Sequence, residues 1–159
     1  MRFLVIYGFH RDEKLAMEIG KLLEKLYGEN VMEYTGEPSL TALKDYIHKS
    51  RLRPEAVLVL HSTEEEDDYC RPNMIFYLLT NEKRKSFWEV LGRRLEETEI
   101  YPGFAASLQW EIGKEPYDIL EVEMVYKKGD NPTQIFLEWM KGLINEIKGI
   151  EAKRVVVQA

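Results

Sequence analysis

The sequence predicts an α/β fold, a mostly parallel mixed sheet flanked by helices, built as a single domain over residues 1–159. Three observations predict it. Short apolar, β-branched runs alternate with stretches of helical periodicity in the order strand–helix–strand–helix–strand, which implies parallel strands joined by right-handed crossovers. A chain of 159 residues is long enough to bury a real core, and 45% hydrophobic with 31% charged residues is a globular balance. No internal repeat, low-complexity tract or linker divides the chain.

Residues 3–8 are an apolar run closed by Gly8 and read as a buried strand. The run is too short for a signal peptide or membrane span, and charges follow at once. Leu15, Ile19, Leu22, Leu23 and Leu26 recur at helical spacing, with Gly28 placed to cap the helix end. Residues 30–34 make a short strand, and Gly36 and Pro38 break the chain. Ser39 or Thr41 can then cap a helix carrying Leu43, Tyr46 and Ile47. Pro54 stops that region, and residues 56–60 form a buried strand that His61 closes.

The acidic stretch 64–68 reads as a loop and 74–79 as a strand. Residues 82–97 read as a helix with Phe87, Trp88, Val90, Leu91 and Leu95 inward. Pro102-Gly103 precedes a strand at 104–112, and the alternation over 117–126 marks another. Asn131-Pro132 opens a helix, since proline suits its first position. Ile135, Phe136, Trp139, Met140, Leu143 and Ile147 are that helix's buried stripe, and 153–158 reads as a last edge strand.

Composition excludes some functions. The net charge is -6, and no run of lysine and arginine is long enough to track phosphates, which argues against a nucleic-acid partner. Nothing points to a membrane partner. The lone Cys70 rules out an intramolecular disulfide and fits a reducing cytoplasm. Abundant Glu, Lys and Arg with few Gln resembles the composition of hyperthermophile proteins. The sequence carries no signal for oligomeric state.

The chemistry-bearing residues are few. His10 and Glu13 follow the first strand, and His61 ends the third. Ligands of open parallel sheets bind outside the carboxyl ends of the strands, at the switch point of strand order, where first and third strands are commonly neighbours. The three side chains can converge there. Two imidazoles and one carboxylate make a catalytic zinc ligand set with one position left for water. The bland alternative is an HxxE spacing that arises by chance and a strand-end histidine bonded to backbone.

The residues around this set carry a resemblance. Gly8-Phe9-His10-Arg11-Asp12-Glu13 resembles the Gly-Thr-His-Gly-Asn-Glu segment of the aspartoacylase and succinylglutamate desuccinylase family, in the zinc carboxypeptidase superfamily. Val59-Leu60-His61-Ser62-Thr63 resembles that family's Asp-Leu-His-Ser-Thr strand end. The resemblance implies a compact zinc-carboxypeptidase-like fold with His10, Glu13 and His61 as the zinc ligands. Phe9 and Arg11 depart from the family's small residue and glycine, and its Asn-Arg motif for a substrate carboxylate is missing. The short spacing between the histidines and the small size are similar to the compact amidohydrolases, N-formylglutamate amidohydrolase and poly-γ-glutamate hydrolase.

Such enzymes carry a proton-shuttling glutamate on a late strand, and residues 119–124 resemble that strand. Glu121 and Glu123 share a strand face, so periodicity does not choose between them. The Glu123-Met124 pattern is more similar to the formylglutamate relatives and favours Glu123; the plain alternative is two solvated glutamates on a half-buried strand.

Arg71 can bind a substrate carboxylate through its planar fork, against the simpler reading of a loop arginine beside the acidic run. Arg93 and Arg94 read as solvated, His48 as a surface residue at a helix end, and Cys70 with His61 as a weak nucleophile pair. The glycines form neither a Walker pattern nor GxGxxG. The sequence therefore points to a zinc-dependent amide hydrolase or deacylase acting on a small acylated amino acid or peptide-like amide. The alternatives are a non-catalytic relative serving as a metal-binding or protein-binding module, and a cofactor-free regulatory domain whose histidines are structural.

Overall fold

Strand β1 (Phe3–Tyr7) is buried along its whole length, as an apolar run with no polar face must be. It lies inside a six-stranded sheet, which a computed structural model describes through residues 2–66, 71–79, 100–106 and 117–158. The sheet order is β2-β1-β3-β6-β4-β5, with β2 (Val31–Glu33), β3 (Ala56–Glu65), β4 (Asn73–Leu79), β5 (Tyr101–Ala106) and β6 (Asp118–Lys127). β1, β2, β3 and β6 run parallel, while β4 pairs antiparallel with β6 and parallel with β5. The mostly parallel mixed sheet flanked by helices is thus the architecture the sequence predicts.

Helix α1 (Lys14–Tyr27) links β1 to β2, and α2 (Leu40–Lys49) links β2 to β3. Leu15, Ala16, Ile19 and Leu23 of α1 join Phe136, Trp139, Met140, Leu143, Ile144 and Ile147 of the last helix, α3 (Thr133–Gln158), on one sheet face. Leu43 and Ile47 of α2 cover Leu4, Ile6, Val57 and Val59 on the other. The chain leaves β1 over one face toward β2 and returns over the opposite face to β3. The switch point of strand order therefore lies between β1 and β3.

Local chemistry fixes the helix boundaries. Ser39, rather than Thr41, caps α2, its hydroxyl accepting the Ala42 N–H at 3.2 Å. Gly28, with φ of 61°, ends α1 in a conformation that other residues resist. Gly20 is the close approach of α1 to the sheet: a Cβ there would stand 2.1 Å from the Tyr7 ring.

Several sequence expectations need correction. β3 does not end at His61 but continues to Glu65, so Glu64 and Glu65 are strand residues rather than loop. The backbone of residues 62–65 is paired with Met124 to Lys127 of β6, and this ladder holds polar residues extended where apolar patterning gives no cue. The expected edge strand at 153–158 is helical, the end of α3. No proline interrupts that helix, and β2 and β5 already hold the sheet edges. Pro102 and Gly103 lie inside β5 rather than before it, which the edge position of β5 permits because one side of an edge strand needs no N–H donor. The helix expected at 82–97, with Arg93 and Arg94, lies outside the described residues, as do residues 107–112 of the strand expected there. Cys70, Asp67 and Asp68 lie outside them too.

Candidate metal centre

The site stands at the carboxyl ends of β1, β3 and β6. β1 gives way at Gly8, whose φ of 84° turns the chain, and a Cβ there would press to 3.2 Å on the Tyr34 carbonyl. A turn follows in which the Glu13 N–H donates to the His10 carbonyl at 3.2 Å. Glu13 is the N-cap residue of α1, yet its side chain makes no cap bond. Ser62 of β3 replaces it, its buried Oγ accepting the Ala16 N–H at 3.0 Å. Glu13 is thereby left to face His61.

His61 and Ser62, adjacent on an extended strand, point to opposite faces. Ser62 holds α1, and His61 faces Glu13 and β6. His61 is only 6% exposed. Its Nδ1 lies 3.2 Å from Glu13 Oε1 and its Nε2 3.2 Å from Glu121 Oε1. The register pairs His61 with Glu123 and Val59 with Glu121. Glu121 reaches the ring from one pleat below, and Glu123 accepts a hydrogen bond from the Thr63 hydroxyl. Burial disfavours a charged imidazole here, but hydrogen bonds to Glu121 and Glu13 outweigh it and push His61 up to about 9.

Ligand atoms of Glu13, His61 and Glu123 all lie within 4.8 Å of one another. Two donors about 2.0 Å from a shared tetrahedral zinc ion stand about 3.3 Å apart, close to the 3.2 Å between Glu13 Oε1 and His61 Nδ1. A histidine bound through one nitrogen usually gives its other N–H to a carboxylate, which is the relation of Nε2 to Glu121. The donor set therefore fits a divalent cation, with Glu13 and His61 at its centre.

His10 is exposed, its ring centroid 5.3 Å from that of His61 and tilted by 44°. It stands beside the donor group of Glu13, His61 and Glu123 rather than within it. Phe9 is buried, with ring centroids 4.9 Å from His10, 5.4 Å from Tyr34 and 5.7 Å from His61. The residue that departs from the family pattern thus walls the site. The other departure, Arg11, pairs with Glu33 at 3.0 Å and reaches the Tyr34 carbonyl at 3.4 Å. Arg71 is exposed and precedes β4 by two residues. Since Ile75 pairs with Glu123, Arg71 lies four residues along, about 13 Å past the glutamate at strand spacing. His48 is exposed on α2, near Tyr117 at 6.0 Å between ring centroids.

Sequence reasoning missed the Ser62 cap, the Phe9 wall and the Glu121 contact. Alternation along β3 carried a signal for Ser62, since it must face away from His61. The Glu121 contact depends on the register between β3 and β6, which no local pattern encodes.

The fold is shared with a solved amidase domain. The catalytic domain of CwlV, an N-acetylmuramoyl-L-alanine amidase from Bacillus (Paenibacillus) polymyxa var. colistinus, is 12% identical at a TM-score of 0.61, with 94% of this chain and 99% of that domain covered. The N-acetylmuramoyl-L-alanine amidase AmiC2 of Nostoc punctiforme is 12% identical at a TM-score of 0.47, over 92% and 97% of the two chains. An uncharacterized protein from Wolinella succinogenes is 11% identical at 0.42, over 96% and 99%. No protein-family model matches the chain, and no curated protein does either. At 12% identity the likeness to the CwlV domain is one of fold alone. Among the described residues, no helix is long and apolar enough to cross a membrane.

Proposed function

We propose that the protein is a zinc-dependent hydrolase of amide bonds, acting on a small acylated amino acid or a peptide-like amide. The observation that carries this reading is the convergence of Glu13, His61 and Glu123 at the carboxyl ends of the central strands. Glu13 and His61 would hold the metal, with His10 at the exposed side able to complete the set. Zinc bound there would lower the pKa of a water toward ~7 and polarise the substrate carbonyl.

The chain's own residues supply the rest. Glu123 takes a proton from the attacking water on its carboxylate and returns it to the leaving amine nitrogen, so that water and amide become carboxylic acid and amine. The Thr63 hydroxyl fixes that carboxylate. Glu121 fixes the His61 ring through Nε2. Phe9 keeps water from one side of both histidines. Arg71, about 13 Å past Glu123 at strand spacing, would take the far carboxylate of a substrate longer than a single acyl group. The fold shared with the CwlV amidase domain supports an amide-cleaving reaction without selecting its substrate.

The test is a panel of N-acyl amino acids and short peptide amides, assayed with zinc-loaded and chelator-treated protein. Zinc-dependent release of amine that disappears in Glu123→Gln is the expected result. Zinc binding without turnover on any member would favour the metal-binding module instead.

A further inference from the structure

A cleft lies at the opposite end of the sheet from the candidate metal centre. Its volume is about 740 Å³, and Arg2, Lys49, Ser50, Arg51 and Arg53 line it with Tyr117. Arg2 precedes β1, Arg53 precedes β3 and Tyr117 precedes β6, so the cleft opens at the amino ends of the strands. Along β3, the five residue steps from Ala56 to His61 place it about 17 Å from the candidate metal centre.

The charge here runs against that of the whole chain. Four permanently positive side chains gather in one cleft of a protein whose net charge is -6. Arg2 is shared with Glu55, at 3.8 Å. Among the described residues, no carboxylate pairs with Lys49, Arg51 or Arg53. The negative end of α2 accounts for Lys49, in its last turn, but not for the three arginines, which lie outside the helix. One further observation points to a ligand. The Ser50 Oγ is buried with no hydrogen-bond partner, a donor whose desolvation nothing in the protein offsets. Arg53, whose carbonyl accepts from Arg2 Nε at 2.9 Å, holds φ at 45°, in the left-handed region that non-glycine residues seldom adopt.

We infer that this cleft binds a small molecule carrying a phosphate group. A tetrahedral oxyanion accepts donors from several directions, and the donors here come from two separate segments, Arg2 before β1 and the stretch from Lys49 to Arg53 before β3. A lone carboxylate would be satisfied by one planar guanidinium fork. The cleft's size is that of a small-molecule site, and buried Tyr117 and Ile47 give the ligand's non-phosphate part an apolar floor. The net negative charge repels a long polyanion, which removes nucleic acid as the occupant.

Calorimetric and NMR titration of the full chain with inorganic pyrophosphate tests the site. Saturable binding is expected, with amide shifts centred on Lys49, Ser50 and Arg51 and retained in His61→Ala. The double variant Lys49→Gln/Arg51→Gln, at two exposed positions, should weaken it at least tenfold. Arg53→Gly should weaken it as well, while ligand-free thermal stability stays level or rises because glycine tolerates that φ. No saturable shift, shifts centred on Glu13 and His61, or unchanged affinity in both variants would overturn the assignment. Citrate binding as tightly as pyrophosphate would overturn the choice of phosphate.

Discussion

His61 carries the electrostatics of the site. In the metal-free protein its folded pKa of about 9 stands above the ordinary 6.5. The stabilisation is therefore complete below about pH 6.5 and is lost as pH rises through about 9. A rise of that size at a buried ring is worth on the order of 3 kcal/mol. Thermal melts of the metal-free protein between pH 6 and 10 should show this loss, and His61→Gln should flatten the profile. A bound cation must displace the same proton, so apparent zinc affinity should tighten by about tenfold per pH unit between 7 and 9. The two glutamates should separate kinetically. Glu123→Gln is expected to lower kcat by about 10²–10⁴. Glu121→Gln, which loosens the His61 ring, is expected to weaken zinc by about tenfold. Residue types made Glu13 and His61 legible in the sequence, because few other side chains bind metal at strand ends. Phe9 and Ser62 were not legible as site residues, since one wears the chemistry of a core residue and the other of a strand-end hydroxyl.

At the scale of elements, α1 is fitted to β1 by one small residue and tied to β3 by one hydroxyl. Gly20→Ala forces a methyl into the Tyr7 ring and should cost about 1–3 kcal/mol, or more if neither helix nor ring can shift, read as a lower denaturation midpoint at unchanged m-value. Ser62→Ala removes the acceptor at the α1 amino end and should cost about 1 kcal/mol. If Ser62→Ala also weakens zinc, the start of α1 is what holds Glu13 in place. The first half of the chain was readable because strand, helix and cap signals agree there, as Ser39 and Gly28 show. Two of the misreadings share one cause. Residues 62–65 are extended because β6 pairs with them, and Pro102 sits in a strand because that strand is an edge; both depend on partners distant in sequence. Residues 153–158 carry β-branched residues of strand propensity, but the helix beginning at Thr133 continues through them.

At the scale of the molecule, the β2-β1-β3 half follows from the βαβ alternation, which places the switch point between β1 and β3. The β6-β4-β5 half does not follow from it. β6 crosses back to pair in parallel with β3 and brings Glu121 and Glu123 to His61, so a residue set spread over 110 positions becomes one site. The same sheet has chemistry at both ends: anionic at the carboxyl end around His61, cationic at the amino end around Arg51 and Arg53. The most direct test of the metal centre is calorimetric zinc titration of chelator-treated protein at pH 8, beside the His61→Ala and Glu13→Gln variants. One zinc per chain in the wild type, with affinity reduced at least a hundredfold in His61→Ala and clearly reduced in Glu13→Gln, is the expected result. No zinc uptake, or uptake that both variants leave unchanged, would contradict it.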